Sequence, residues 1–269
     1  MGELRAIPVG GLPEVEEGTD LGGLIAAHAD PRDGDVIVVA QKIVSKAEGR
    51  VRRLSSVIPG AGARKLAAAL GKDPALVELI LSESAAVLRA ERGVLIAETH
   101  HGFVCANAGV DTSNLPEDGT ACLLPEDPDA SARRIRDELM AVGGGSGVGA
   151  SRQKRGVSGN PHPRPARIAV VVADSFGRAW RVGQSEVAIG CAGLTPLEDW
   201  RGRADAHGRK LEATHIAIAD EAAAAADLVR GKDSNVPAVI LRGLERFVTV
   251  EDGPGAASLR RPPHEDLFR

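Results

Sequence analysis

The stretch "IAVVVADSFGRAWRVGQSEVAIG" at residues 168–190 joins a strand-like pattern to polar chemistry. Residues 168–173 form an unbroken apolar run, which is typical of a strand covered on both faces. Asp174 and Ser175 follow directly, and a carboxylate and a hydroxyl at the end of a rigid strand suit a divalent cation. The same residue types also favour a helix cap or an Asx-turn, so both interpretations stay open here. Gly177 is predicted to let the chain turn away.

A second stretch of the same kind is "VCANAGVDTSN" at residues 104–114. Its apolar start predicts a strand that leads to Asp111, with Asn107, Thr112 and Asn114 close by in sequence. Carboxylates from two separate strand ends can bind a pair of cations around a transferring phosphoryl group. The alternative is a polar turn between two strands.

A third stretch, "AQKIVSKAEGR" at residues 40–50, follows the predicted buried strand 36–40. Lys42, Lys46 and Arg50 recur at helical spacing, so they are expected on one face of a helix. Cations in that position can contact phosphates. A solvated basic face is the other interpretation of the same pattern.

Composition excludes several classes of protein. The 269 residues carry a net charge of −4 and contain four Phe, two Trp and no Tyr, so neither a phosphate-backbone surface nor a base-stacking platform is expected. Three widely spaced cysteines predict neither a disulfide scaffold nor a zinc site. With no signal-peptide pattern and no apolar run long enough to span a bilayer, the expectation is a cytoplasmic protein without nucleic-acid or membrane partners.

Hydrophobic periodicity predicts an α+β protein with mixed or antiparallel sheets and flanking helices. The Gly- and Ser-rich segment 143–165 is expected to be a flexible loop, and it matches no phosphate-binding loop motif. The predicted helices are 21–28, 60–72, 74–84, 128–142 and 221–231. The predicted strands are 36–40, two or three within 86–106, 168–173, 185–191, 211–219 and 237–243.

Over nearly its whole length the sequence resembles the coenzyme F420-0:γ-glutamyl ligase family. The resemblance is carried, in order and spacing, by "LPEVEEGTDL", "GDVIVVAQKIVSKAEGR", "CANAGVDTSN", "LLPEDPDASA", "ADSFGRAWRVGQSEVAIGCAGL", "DWRGRADAHGRKLEAT", "ADEAAAAADLVRGK" and "PAVILRG". It implies the fold of that family: two intimately joined subdomains in an intertwined homodimer. The ligase domain would span 1–249, including the flexible loop 143–165. The tail 250–269 would be extended, and it resembles the interdomain linker of actinobacterial two-domain members.

The resemblance implies an enzyme that uses GTP, two Mn²⁺ or Mg²⁺ ions and K⁺ to add L-glutamate to coenzyme F420-0. An acyl phosphate would be the intermediate, and γ-linked glutamate would next be added to F420-1. Either a separate flavin-dependent reductase is a partner or the chain acts as a ligase alone. A metal-dependent phosphotransferase or phosphohydrolase, or a non-catalytic homologue that binds nucleotide or deazaflavin, stays open, because Gln41 and Lys42 replace a hydroxyl pair of archaeal members and the loop 230–236 is shorter.

The resemblance also assigns roles to individual residues. Asp111, Asp174 and Ser175 match metal ligands, although the family more often has Thr at the position of Ser175. Asp174, Asp111 and Lys46 are the expected catalytic residues. The residues expected to contact the nucleotide are Leu12, Pro13, Glu14, Val15, Gln41, Lys42, Lys46, Asn114, Arg230, Gly231 and Lys232.

Overall fold

The computed structural model describes residues 2–142 and 165–266. The predicted loop 143–165 therefore lies, but for its last residue, outside the described part of the chain. The strands are β1 (Arg5–Val9), β2 (Val36–Ala40), β3 (Val51–Arg53), β4 (Ser84–Glu91), β5 (Val94–Thr99), β6 (Val104–Ala106), β7 (Thr120–Cys122), β8 (Ala169–Arg178), β9 (Arg181–Ala192), β10 (Glu198–Asp199), β11 (His215–Ile216) and β12 (Ala238–Arg242). The helices are α1 (Leu21–His28), α2 (Gln41–Ala47), α3 (Ala61–Leu70), α4 (Pro74–Ser82), α5 (Pro128–Ala141) and α6 (Ile218–Asp227).

The main sheet has the strand order β1-β12-β2-β8-β9. Strands β2 and β8 are parallel, and the other neighbours in this sheet are antiparallel. Smaller sheets pair β4-β5-β6, β3-β7 and β10-β11. The predicted class, α+β with mixed sheets and flanking helices, is confirmed at that level.

Both faces of the main sheet are covered, because apolar residues alternate between them along each strand. In β2, Ile37 and Val39 pack with α1, α2 and α5 in one core cluster. Val36 and Val38 point to the opposite face and pack with the alanines of α6. All four side chains are fully buried, and such burial stabilises a fold by about 1.5–3 kcal/mol for each side chain.

A separate cluster joins α3 and α4 to the sheet β4-β5-β6, with Leu70, Ile80 and Leu95 buried at its centre. After β6 the chain makes a short helical turn, Asn107–Gly109, and reaches Asp111. The backbone of Asp111 exchanges hydrogen bonds with Cys122 at 3.0 and 2.8 Å, which fixes this segment beside β7. The arrangement brings the second polar stretch beside Asp174 and Ser175 in the middle of β8.

The stretch 168–190 differs from the prediction in one respect. β8 does not end at Asp174 but continues to Arg178, and the turn falls at 179–180. Pairing with β9 satisfies the backbone of the polar residues, so tertiary context overrides their turn propensity. Gly177 lies inside the strand without a positive φ, so the predicted role of Gly177 in a turn is wrong.

Two other local predictions were wrong. Within 211–219 only His215–Ile216 is a strand, because α6 already begins at Ile218. Arg50 lies beyond the end of α2 and forms an ion pair with Glu83 at 2.7 Å instead of extending the lysine face.

The last described segment, 250–266, packs against the body of the protein. It contains two short 3-10 turns, Ala256–Leu259 and Pro263–Glu265. The carboxylate of Asp129, at the start of α5, accepts hydrogen bonds from the backbone N–H of Ala256 at 2.7 Å and of Ala257 at 3.2 Å. The assignment of this tail as a linker stays a prediction. In the described ranges no helix has the length and apolar character needed to cross a membrane.

Candidate active site

A cavity of ≈ 470 Å³ lies at one end of the main sheet. The parallel register pairs Ala40, the last residue of β2, with Ala173, so the segments that follow these two residues meet at the same edge. The backbone N–H of Ala40 donates to the carbonyl oxygen of Pro237 at 2.8 Å. This bond brings the segment before β12 to the same edge of the sheet. Three distant parts of the sequence therefore converge there.

Most of the residues predicted for the site line this cavity. They are Gln41, Lys42, Asp111, Asn114, Asp174, Ser175, Arg230, Gly231 and Lys232. The segment Leu12, Pro13, Glu14 and Val15 and the side chain of Lys46 form a neighbouring group instead, in which Lys46 forms an ion pair with Glu14. Lys46 lies one helical turn after Lys42 on α2, and residues at that spacing share a helix face.

Asp174 is a partly buried carboxylate without a cationic partner among the described residues. Its Oδ1 accepts a hydrogen bond from the backbone N–H of Ser175 at 2.9 Å. Burial, together with the negative charges of Glu186 and Asp111, raises the pKa of Asp174 to about 7. A bound cation would favour the ionised form, because an opposite charge offsets the cost of removing the carboxylate from water.

Asp111 is the contrasting case. Its carboxylate lies 2.8 Å from the ammonium of Lys42 and accepts hydrogen bonds from the N–H and hydroxyl of Ser113 at 2.8 and 2.9 Å. Burial by itself would raise the pKa of Asp111, but the hydrogen bonds and charge of Lys42 and the bonds from Ser113 outweigh it, so the pKa lies below its usual value. Asp111 is therefore held as an anion.

Ser175 lies on the other face of the sheet from Asp174, because consecutive strand residues alternate. Its hydroxyl donates to Glu186, the residue directly opposite it on β9, and accepts from the ammonium of Lys232 at 2.6 Å. Glu186 also forms an ion pair with Arg230 at 3.1 Å, and both side chains are at most 7% exposed. These contacts attach the loop after α6 to the β8–β9 hairpin.

Glu186 had no predicted role, although it completes this network. The signal that could have identified it is the hairpin register, since Glu186 faces Ser175 only if β8 and β9 pair through the polar stretch. Gln41 had a predicted nucleotide contact. The structure buries Gln41, and its amide Nε2 donates to the hydroxyl of Ser45 at 2.6 Å and to the carbonyl oxygen of Leu123 at 3.0 Å.

The polar end of the sheet offers oxygen donors to the expected divalent metal. In residues 2–142 and 165–266, no three His, Cys, Asp or Glu side chains are grouped as a metal site. The two carboxylates of Asp111 and Asp174 nevertheless share one cavity with the hydroxyl of Ser175. These are oxygen ligands, and Mg²⁺ and Mn²⁺ typically take one or two carboxylates and complete their shell with phosphate and water. The carboxylates of Asp111 and Asp174 therefore fit such an ion, and the hydroxyl of Ser175, on the other face of β8, would serve a second one.

The sequence is similar to known proteins over all the segments that form this cavity. The family model described as F420-0:Gamma-glutamyl ligase matches residues 11–146 and 164–243. The chain belongs to this family. A protein of Methanothermobacter thermautotrophicus named coenzyme F420:L-glutamate ligase is 43% identical over 99% of both chains. Proteins of the same name from Methanopyrus kandleri and Archaeoglobus fulgidus are 41% and 37% identical over 99% of this chain, and over 98% and 96% of their own lengths.

Membership of the F420-0:gamma-glutamyl ligase family confirms the resemblance seen in the sequence. The matched ranges contain every residue predicted for the site, from Leu12 to Lys232, and they also contain Glu186. The cavity is therefore built from the part of the chain that defines this family of enzymes. Residues 244–266 lie outside the match.

Proposed function

We propose that this protein is a GTP-dependent ligase that adds L-glutamate to coenzyme F420-0 and then γ-linked glutamate to F420-1, in the biosynthesis of coenzyme F420. The observation that carries the proposal is its similarity, over 99% of its length, to relatives that are named for joining F420 and L-glutamate. The cavity supports it, because carboxylates and cations converge there as phosphoryl transfer requires.

The reaction divides into two balanced steps. A carboxylate oxygen of the acceptor attacks the terminal phosphorus of GTP, the bond from phosphorus to the bridging oxygen breaks, and GDP leaves. The amine of L-glutamate then attacks the carbonyl carbon of the acyl phosphate, phosphate leaves, and the nitrogen loses a proton. Phosphorylation is needed because a carboxylate has no adequate leaving group of its own.

Cationic side chains would stabilise the charge on the phosphates during transfer. Lys42 and Lys232 both line the cavity, and Lys232 is 69% exposed, so its ammonium can move to a ligand with little loss of packing. Lys46 and Glu14 would contact the nucleotide from the adjacent group. The amide nitrogen of Gln41 is already occupied, so a contact from Gln41 would use its amide oxygen.

Asp111, Asp174 and Ser175 are the residues that would hold Mn²⁺ or Mg²⁺, with K⁺ as a further ion. The divalent ions, when bound, supply positive charge to the transferring phosphoryl group. Lys42 would exchange its contact with Asp111 for a contact with phosphate, which frees the carboxylate. Ser175, held between Glu186 and Lys232, would position its hydroxyl from the other sheet face.

A homodimer is part of the same proposal. Strand β4 is an edge strand whose residues after the first are exposed, and apolar side chains recur on it and its neighbours. Val87, Leu88, Val94 and Val104 are each 41–47% exposed. Exposed edge strands with apolar side chains commonly pair or pack with another chain. Light scattering after size exclusion tests this, and a monomeric mass at micromolar concentration would contradict it.

The deciding experiment incubates the protein with GTP, Mn²⁺, L-glutamate and F420-0, and measures glutamylated product by mass spectrometry and GDP by chromatography. We expect product and GDP in equal amounts, with GDP formation dependent on both co-substrates. GTP hydrolysis that is independent of glutamate would favour the phosphohydrolase alternative. Binding of nucleotide or of F420-0 without turnover would favour the non-catalytic alternative.

A further inference from the structure

A second cavity of ≈ 360 Å³ lies beside the first, between the β5–β6 connection, the start of α5 and the C-terminal segment. Phe103 lines this second cavity and Phe176 lines the first. Their ring centroids are 6.1 Å apart in an edge-on arrangement. The two cavities are therefore separated by two aromatic rings, and the second volume lies within the range of small-molecule sites.

Aromatic side chains are concentrated at this boundary although they are scarce in the chain, which has four Phe and no Tyr. His101 stacks on Phe103 with 5.8 Å between ring centroids and 25° between ring planes. The Nε2 of His101 lies 2.9 Å from the carbonyl oxygen of Pro125 and 3.1 Å from that of Glu126. Both partners are acceptors, so Nε2 carries a proton and the imidazole is fixed in the stack.

The carboxylates around the second cavity already have partners, whereas one of its arginines can still pair with an anion. Its three carboxylates already have partners: Glu126 with Arg50 at 3.3 Å, Asp127 with the N–H of Ala130 at 2.9 Å, and Asp129 with the N–H of Cys191 at 2.8 Å. Arg260 has no carboxylate within ion-pair distance among the described residues. Its guanidinium lies 5.9 Å from the centre of the Phe103 ring. A cation beside an aromatic stack favours a planar ligand that also carries negative charge.

We propose that the second cavity binds the acceptor substrate through its planar conjugated ring, with Phe103 and His101 against the ring and Arg260 against an anionic group. The acceptor then extends past Phe103 and Phe176, so that its carboxylate reaches the cavity of Asp174. L-Glutamate fits this cavity less well. It has no ring to stack on Phe103, and the carboxylates that could bind its ammonium group already have partners. The proposal rests on the proposed function for the identity of the acceptor.

The test titrates the full-length protein with F420-0, followed by ligand fluorescence, in the absence of nucleotide. Arg260→Gln and Phe103→Leu are compared with Arg261→Gln, which changes the neighbouring exposed arginine. We expect both cavity variants to raise the Kd for F420-0 and the KM for F420-0 by about tenfold or more, with the Kd for GTP and the KM for L-glutamate unchanged. Arg261→Gln should leave all four constants unchanged.

Each outcome separates this proposal from the proposed function. Product formation by the wild-type protein, with an unchanged KM for F420-0 in a folded Arg260→Gln variant, would overturn the second site alone. Absence of product from the wild-type protein, with F420-0 binding that Arg260→Gln weakens, would overturn the ligase and support the site. The result for Phe103→Leu is interpreted only if the circular dichroism spectrum of the variant matches that of the wild type. If the spectra differ, Arg260→Gln still decides the question, because Arg260 is exposed and its replacement should not disturb the fold.

Discussion

The ammonium of Lys42 lies 2.8 Å from the carboxylate of Asp111 and donates to the carbonyl oxygen of Ser113 at 2.7 Å. A lysine thus holds one of the two carboxylates that would bind a divalent cation. The other carboxylate, Asp174, has no such partner among the described residues. In the proposed function a metal ion and Lys42 would compete for Asp111, and a bound phosphate would relieve the competition by attracting Lys42.

Replacing Lys42 by methionine should therefore tighten the binding of Mn²⁺ in the absence of nucleotide. A partly exposed ion pair is worth up to about 1 kcal/mol, so the gain in affinity should not exceed about fivefold. Turnover should fall, because a phosphate contact is lost. Electron paramagnetic resonance titration with Mn²⁺ measures the affinity, and Lys65→Met, on the exposed side of α3, is the control. Weaker Mn²⁺ binding in Lys42→Met would contradict the competition.

Asp174→Asn should weaken Mn²⁺ binding by more than about tenfold, since even the outer partners of metal ligands contribute that much. The variant should stay folded, because an amide oxygen can still accept the hydrogen bond from the N–H of Ser175. Calorimetric Mn²⁺ titration and the product assay check both statements. Asp118→Asn removes an exposed carboxylate elsewhere and should change neither. Full activity in Asp174→Asn would remove this residue from the site.

Replacing only one member of the buried ion pair of Glu186 and Arg230 should lower the stability of the fold. Glu186→Gln leaves the guanidinium of Arg230, which is 7% exposed, with only the longer and more exposed contact to Asp227 at 3.6 Å. Loss of one partner of a buried ion pair destabilises proteins by up to about 3–5 kcal/mol, and the remaining contact with Asp227 should keep the loss at or below the lower end of that range. The double variant Glu186→Leu with Arg230→Met should be more stable than Glu186→Gln, since apolar residues of similar volume leave no charge unpaired at the buried position, and Asp227, which loses Arg230, is 33% exposed to water. Urea unfolding of the three proteins measures the difference. Equal stability of the two variants would show that the pair is not desolvated.

Much of the fold could be predicted from the sequence, because its signals are local. The apolar run of β2, the helix cap at Asp20 and the proline at the start of α4 each specify their element without tertiary help. The course of the polar stretch could not be predicted in this way. Asp174 and Ser175 remain in a strand only because β9 supplies hydrogen-bonding partners, and that pairing is a long-range property.

In the candidate site, too, the residues marked by local sequence patterns could be predicted and those defined by long-range pairing could not. Asp111 and Asp174 stand out as carboxylates after apolar runs, and the parallel pairing of β2 with β8 explains why the second lies beside Lys42. Glu186 could not be identified, because its role depends on facing Ser175 across the hairpin. The pair of Lys46 and Glu14 depends on how the N-terminal segment packs on α2, which no local pattern specifies.

Gly190 and Gly177 offer a matched pair on the two strands of the hairpin. A Cβ at Gly190 would lie 2.1 Å from the backbone oxygen of Pro128, so Gly190→Ala must displace the start of α5. Overpacking of this kind costs about 1–3 kcal/mol or more. A Cβ at Gly177 meets nothing within 4 Å, so Gly177→Ala should change stability by no more than about 0.5 kcal/mol. Thermal unfolding distinguishes them, and equal melting temperatures would contradict the close approach of α5 to β9.

Cys105 is a buried thiol in the wall of the first cavity. Burial and, secondarily, the charge of Asp174 raise the pKa of Cys105 to about 12. The thiolate is the reactive form, and at pH 8 only about 10⁻⁴ of Cys105 is thiolate, against about a quarter of an ordinary thiol, so Cys105 should react far more slowly. Iodoacetamide should therefore leave Cys105 unmodified in the folded protein and alkylate it in guanidinium, as peptide mass mapping would record.

Raising the pH should increase the labelling of Cys105, because each step toward its pKa increases the thiolate fraction. Asp174→Asn removes the smaller of the two causes, so it should lower the pKa of Cys105 while burial still keeps the thiol unreactive at pH 8. Rapid alkylation of native Cys105 at that pH would contradict the burial. It would also add a cysteine nucleophile to the proposed mechanism, which uses none.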